Sequence, residues 1–392
     1  MNKIEIFEDS FESNFVKKNP EVLKQHFGIS DIDSFWIADM DYKIAKPITE
    51  ELLKVVHREN YGYEDVSKKV NQAISDWYLK KQNIHLKTDN FIRVNNLLTA
   101  ISILVKELTE ENEEIIIQTP VYPPFTGIIT SHNRKVLRSP LKIENQRYKI
   151  DFEDLEKKMS KREVRYFLFC NPHNPIGSVW DKEDVEKIYF LAEKYDVIVI
   201  SDEIHSDIIF NEKPFTSFTS FENSKHITLV GSPSKTFGLQ GISSGFIYIP
   251  DVEIRENIKN FTEKYFLHHE NSLTMYATIA AFTKGEEWLN FLLEFVQENF
   301  SWIQTFLHKE LPQIKVFELE GTYQIWLNFS ELNLDLESLE ELVFRKAKIG
   351  LTPGKWFGEE YHNYMRMNIA CSSEKIQKAF NKLKKEIKKS MN

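Results

Sequence analysis

The sequence predicts an α/β protein, with a mainly parallel sheet between helices and a smaller α+β domain added to it. Three observations carry this. The four short apolar runs 115–117, 166–170, 197–200 and 227–230 are too continuous to alternate, as expected of strands buried on both faces. Helical patterns fall between them, and strand, helix, strand in alternation marks the α/β class. Past about residue 285 the pattern changes to long helical stretches and one alternating run.

Residues 181–195 give the clearest helix. Asp181 stands where an N-cap is expected, and Val185, Ile188, Ala192 and Tyr195 share a face. A second helical stretch covers 287–306. Residues 321–329 follow, where Tyr323, Ile325, Leu327 and Phe329 alternate as in a half-buried strand. A further element covers 364–369. Ile376, Phe380, Leu383 and Ile387 then recur at helical spacing, so the lysines between 382 and 389 read as the solvated face of a terminal helix. A chain of 392 residues exceeds the usual limit for one core. The expected division is a large domain over 46–285 and a discontinuous small domain from 1–45 and 286–392.

Composition narrows the function classes. A formal charge of -9 gives no basic excess for a nucleic-acid partner. Two cysteines, Cys170 and Cys371, are too few for a disulfide framework or a Cys-rich metal site. The first residues, MNKIEIFEDSFESNF, lack the apolar stretch of a signal peptide, and no run approaches the ~20 apolar residues of a membrane span. A cytoplasmic protein with no membrane partner is expected. Thirteen glycines and no repeat or low-complexity tract leave little room for flexible linkers.

Each apolar run ends in a short polar or proline-containing motif: TPVYPPF (119–125), NPHNPIG (171–177), SDEIH (201–205) and GSPSK (231–235). Ligands of open parallel sheets lie beyond the carboxyl ends of the strands, so four such ends converge on one site. Lys235 alone reads as a surface lysine, but Ser232, Ser234 and Thr236 around it permit close approach of a ligand and offer hydroxyls to a phosphate. Asp202 closes a strand as either a helix cap or salt-bridge partner, or as the counter-charge to a protonated heteroaromatic ring. Asn174, between prolines, is a rigid turn or an amide donor, and Tyr122 is core packing or an aromatic plate. Arg366 between apolar neighbours fits an internal salt bridge and a carboxylate clamp equally. Together the set describes a pyridoxal 5'-phosphate site for an amino acid. The phosphate-loop motifs of nucleotide-binding α/β proteins are missing.

At this point the chain resembles, over nearly its whole length, the fold-type I pyridoxal-phosphate enzymes of the aspartate-aminotransferase superfamily. WIADMDY (36–42), YGY (61–63), the four strand-end motifs, SPSKTF, GTYQIWLNF and R-x-N at 366–368 resemble the MalY/PatB-type cystathionine β-lyases. The resemblance implies the transferase-like fold of that superfamily, with a mainly parallel seven-stranded sheet. It implies a homodimer with its active site at the subunit interface. It also implies a carbon–sulfur lyase acting on L-cystathionine or related cysteine conjugates, with an aminotransferase or a regulatory cofactor-binding protein as alternatives. Carried over, Lys235 is the Schiff-base lysine and general base, Asp202 the partner of the pyridine nitrogen and Asn174 the donor to the phenolic oxygen. Tyr122 is the stacking ring, Arg366 the substrate-carboxylate clamp, with Asn174 and Tyr122 also lining the substrate. Ser232 and Ser234 are phosphate hydroxyls, and Tyr63 reaches the phosphate of the neighbouring subunit. His205 stands near the phenolic oxygen, where aminotransferases often carry tyrosine.

Two departures accompany the resemblance. The phosphate turn, VNNLLTAIS (94–102), has no glycine, so Leu98, Thr99 and Ala100 are expected to supply amides, with a hydroxyl from Thr99. Ser243 stands eight residues after the lysine, where many superfamily members carry arginine. Gly238 and Gly241 are expected to turn the chain away from the lysine.

Overall fold

The four apolar runs are four neighbouring strands. The computed structural model describes residues 4–7, 12–221, 225–242 and 244–391. It divides into two compact units, one of Ile44–Asn174 with Ser178–Leu289, the other of Met1–Lys43 with Pro175–Gly177 and Asn290–Asn392.

The larger unit holds a seven-stranded sheet. Its strands are β1 (Phe91–Val94), β2 (Glu114–Thr119), β3 (Lys135–Pro140), β4 (Val164–Cys170), β5 (Ile198–Asp202), β6 (Ile227–Gly231) and β7 (Gly245–Tyr248). The spatial order is β1-β7-β6-β5-β4-β2-β3. All pairs are parallel except the two made by β7. The antiparallel β7 was invisible to the run-and-motif reading, because GFIY is short and follows the lysine motif without a helix between. The central strands are buried on both faces as expected, with Ile115, Ile117, Leu168, Ile200 and Val230 at most 1% exposed.

Helix α1 (Leu97–Leu108) joins β1, β2, β4, β5, β6 and β7 in one apolar cluster, through Ala100, Ile101, Leu104 and Val105. Helix α2 (Lys182–Tyr195) connects β4 to β5 and buries Val185, Ile188, Leu191 and Ala192. Asp181 stands at its N-cap position but makes no side-chain cap bond. Its carboxylate is instead drawn to Arg147 at 2.8 Å and Lys213 at 2.6 Å, because two cations outbid one backbone amide.

The smaller unit contains a four-stranded antiparallel sheet. In sheet order, β8 (Lys315–Val316) pairs with β9 (Gln324–Asn328), then β11 (Tyr364–Asn368), then β10 (Thr352–Pro353). The alternating run 321–329 corresponds to β9, but it is not half-buried: Gln324 and Trp326 are as enclosed as Tyr323 and Ile325. Trp326 stacks on Tyr364 and meets Phe357 and Tyr361 edge-on, so the second face is covered by aromatic rings. Helix α3 (Ser373–Met391) ends the described chain and buries Ile376, Phe380, Leu383 and Ile387. Among the described residues no helix is long and apolar enough to cross a membrane.

Candidate active site

Parallel pairing sets the strand ends side by side. Cys170 lies opposite Asp202, and Asp202 opposite Val230, so the residues that follow β4, β5 and β6 emerge along one edge of the larger unit. Lys235 sits on the short helix Ser234–Phe237, half-buried, four residues after β6 ends. Gly238 closes that helix at φ 72°, in the left-handed region. Gly241 needs no such freedom, since its φ is not positive and no atom lies within 4 Å of a Cβ added there. Behind the lysine, Thr236 donates to the Asp207 carboxylate at 3.0 Å, and Trp77 Nε1 donates to its other oxygen at 2.8 Å.

Asp202 is the last residue of its strand and 3% exposed. One carboxylate oxygen accepts the Ile204 amide at 3.0 Å. Burial pushes its pKa up to about 7, against the opposing pull of that amide and of the Lys235 charge. The adjacent Glu203 is also buried and pushed to about 7, although Phe218, Ser217 and Ser201 all donate to it.

His173 ties two strand-end turns together. Its Nε2 lies 2.7 Å from the Pro120 carbonyl, and burial lowers its pKa to about 4, so the ring is neutral and donates. Asn174, the next residue, is 5% exposed; Tyr122, two residues beyond Pro120, is half-buried and edge-on to Phe125. His205 is 3% exposed, three residues past Asp202. Lys235, Asp202, Asn174, Tyr122 and His205 are thus gathered at one sheet edge.

Ser232 donates to the Ser244 carbonyl at 2.6 Å and lies 3.0 Å from the Ser234 hydroxyl. The α1 turn departs from expectation. Asn96 caps this helix: its Oδ1 accepts the Thr99 amide at 2.9 Å and its carbonyl accepts the Ala100 amide at 3.0 Å. Two of the three amides expected to face an anion are therefore engaged inside the cap, which leaves that of Leu98. Ser243 lies outside the described residues. Arg93, missed in the sequence, is buried in β1; it forms a bidentate pair with Glu270 at 2.9 and 3.0 Å and donates to Ser244 Oγ at 2.7 Å. A charged residue inside the apolar FIRV run was the available signal.

Tyr63 is fully exposed, and Tyr61 and Phe266 are also largely exposed. Arg366 belongs to the smaller unit, on β11, 6% exposed. Its Nη2 donates to the Trp36 carbonyl at 3.0 Å and to Thr352 Oγ1 at 3.2 Å, and the Phe357 ring lies 5.3 Å from Cζ.

Residues 39–383 match the model of the family described as aminotransferase class I and II. The chain belongs to that family. Within it, the chain is 33% identical over 360 residues to the cystathionine beta-lyase PatB of Bacillus subtilis, covering 91% of this chain and 93% of that one. It is 27% identical to the protein MalY of Escherichia coli, over 91% and 92% of the two chains. Cystalysin from Treponema denticola, whose crystal structure contains a pyridoxal 5'-phosphate cofactor, superposes with a TM-score of 0.93 at 28% identity, over 98% of both chains. The seven-stranded α/β architecture is therefore the family's fold.

Proposed function

We propose that the protein is a pyridoxal 5'-phosphate-dependent carbon–sulfur lyase. It cleaves the Cβ–S bond of L-cystathionine or a related cysteine conjugate, releasing a thiol, pyruvate and ammonia. The observation that carries this is Asp202: a buried strand-end carboxyl with its pKa pushed to about 7, beside Lys235, in a family whose relatives include a cystathionine beta-lyase. A buried carboxyl so destabilised as an anion suits a cationic partner at contact distance, and the protonated ring nitrogen of the cofactor is one. The residues fit the group on that ground.

Bound there, the cofactor supplies a carbonyl for the substrate amine and a sink for the electrons released at Cα. Asp202 would keep the ring nitrogen protonated, Tyr122 would stack on the ring, and Asn174, near His205, would donate to the phenolic oxygen. Ser232, Ser234, the Leu98 amide and the Thr99 hydroxyl would hold the phosphate, and Tyr63 of the partner subunit in a homodimer would complete that cradle. Arg366 binds the substrate α-carboxylate with its planar fork. The Lys235 amine would take the Cα proton of the substrate as general base. The thiolate leaves from Cβ, and the released enamine hydrolyses to pyruvate and ammonia.

Incubation of purified protein with L-cystathionine, without any 2-oxo acid, tests the reading. Pyruvate and homocysteine in equal amounts are expected. Turnover that requires a 2-oxo acid acceptor would make the protein an aminotransferase instead.

A further inference from the structure

We infer that Thr352 is a positioning residue for Arg366, acting jointly with the backbone carbonyl of Trp36. The inference rests on the reading of Arg366 as the clamp on the substrate α-carboxylate. Thr352 lies directly opposite Arg366 in the pairing of β10 with β11. Its hydroxyl donates to the Trp36 carbonyl at 2.6 Å, and the same oxygen accepts from Arg366 Nη2 at 3.2 Å, while Trp36 O accepts from that nitrogen at 3.0 Å. Nitrogen, hydroxyl and carbonyl therefore close a triangle. Two acceptors only 2.6 Å apart are served by a single N–H in a three-centre bond. One edge of the guanidinium is held by this pair, and the Phe357 ring lies 5.3 Å from Cζ, within cation–π reach, so the head group is restrained from two sides.

The triangle is anchored in turn. Asn368, two residues along β11, donates through its side chain to the carbonyls of Ile37 and Asp39, and through its backbone to Phe35 at 2.8 Å. Lys17, 3% exposed, donates to the Asp39 carbonyl at 3.1 Å and pairs with Asp41 at 2.9 Å. Lys375 pairs with the other oxygen of Asp41 at 2.7 Å. Burial alone would raise the Asp41 pKa, but Lys17 and Lys375 outweigh it and hold the carboxyl at about 2, so this lattice is charged at any working pH. The motif WIADMDY thus acts as a rail of carbonyls, clamped at its far end, that orients the arginine.

Thr352→Val removes the hydroxyl at nearly constant volume. For the holoenzyme, KM for L-cystathionine should rise about tenfold while kcat changes less than about threefold, the loss of one hydrogen bond to a charged group. Thr352→Ser should restore KM, and the affinity of the cofactor-free protein for pyridoxal 5'-phosphate should not move. Arg366→Lys serves as the reference. If that variant leaves KM unchanged, the clamp reading itself fails. If it raises KM and Thr352→Val does not, the positioning inference is overturned. A fall in kcat and cofactor affinity alongside KM overturns it too, since that is a general structural defect. Should the valine variant not fold, Thr352→Ala compared with Thr352→Ser makes the same measurement.

Discussion

Asp202 and Glu203 are consecutive buried carboxyls with opposite alternatives open to them. Asp202 faces the lysine edge, while Glu203 is held among Ser201, Ser217 and Phe218. Both folded-state pKa values stand near 7, above the ordinary carboxylate range, so between about pH 4 and pH 7 the folded chain binds more protons than the unfolded one. Their contribution to stability is therefore full below about pH 4 and lost as pH rises through 7. For the cofactor-free protein, the urea midpoint should fall between pH 5 and pH 8, with Asp202 accounting for on the order of 3 kcal/mol. Asp202→Asn should flatten part of that slope. Saturating cofactor should also flatten it, since a cation at Asp202 removes the reason for the raised pKa; an unchanged slope would argue against the proposed contact. Lys235→Ala should abolish elimination, and borohydride should then fix no cofactor label to the chain.

Helix α1 and strand β7 meet at a glycine. A Cβ at Gly245 would lie 2.7 Å from the carbonyl carbon and 2.9 Å from the carbonyl oxygen of Asn96, both backbone atoms that cannot rotate aside. Asn96 is the residue that caps α1 and sets the direction of the amides at its start. Gly245→Ala should therefore cost about 1–3 kcal/mol by urea unfolding. Because the cap shifts with it, affinity for pyridoxal 5'-phosphate should fall at least tenfold in a titration of cofactor-free protein. Gly127→Ala is the control: no atom lies within 4 Å of its added Cβ and it sits inside the helix Pro124–Ser131. That change should stabilise by about 0.5–1 kcal/mol.

The whole molecule presents Tyr61, Tyr63 and Phe266 to solvent within the larger unit, with Tyr63 fully exposed. In the proposed homodimer, a subunit interface over this surface would let Tyr63 serve the neighbouring site and so make the active sites shared. Light scattering should then give twice the mass of the 46.3 kDa chain. A sharper expectation concerns mixed dimers. Tyr63→Phe and Lys235→Ala homodimers should each be impaired, whereas a refolded equal mixture should recover about a quarter of wild-type activity. Half the dimers in such a mixture are hybrids, and each hybrid carries one intact site. No recovery would place Tyr63 in its own subunit's site, and a fully active Tyr63→Phe homodimer would place it in none.

What could be read from the sequence alone were the features that depend on neighbours along the chain. Continuous apolar runs mark strands buried on both faces, and the residues following each run mark the sheet edge where a ligand lies, so Lys235, Asp202, Asn174 and Tyr122 were legible as a group. The hidden features depend on partners far apart in sequence. Arg93 and Glu270 are 177 positions apart, and Arg366 and Trp36 are 330 apart. The Asp181 carboxylate left its helix for Arg147 and Lys213, and the Thr99 amide was taken by Asn96, because a stronger or nearer partner exists only once the chain is folded. The sequence by itself determined the α/β order and the grouping of Lys235, Asp202, Asn174 and Tyr122 at the strand ends. Only the tertiary structure decided which donors stay available, how far burial shifts each carboxyl, and what holds the arginine, since those depend on desolvation and on contacts made through space.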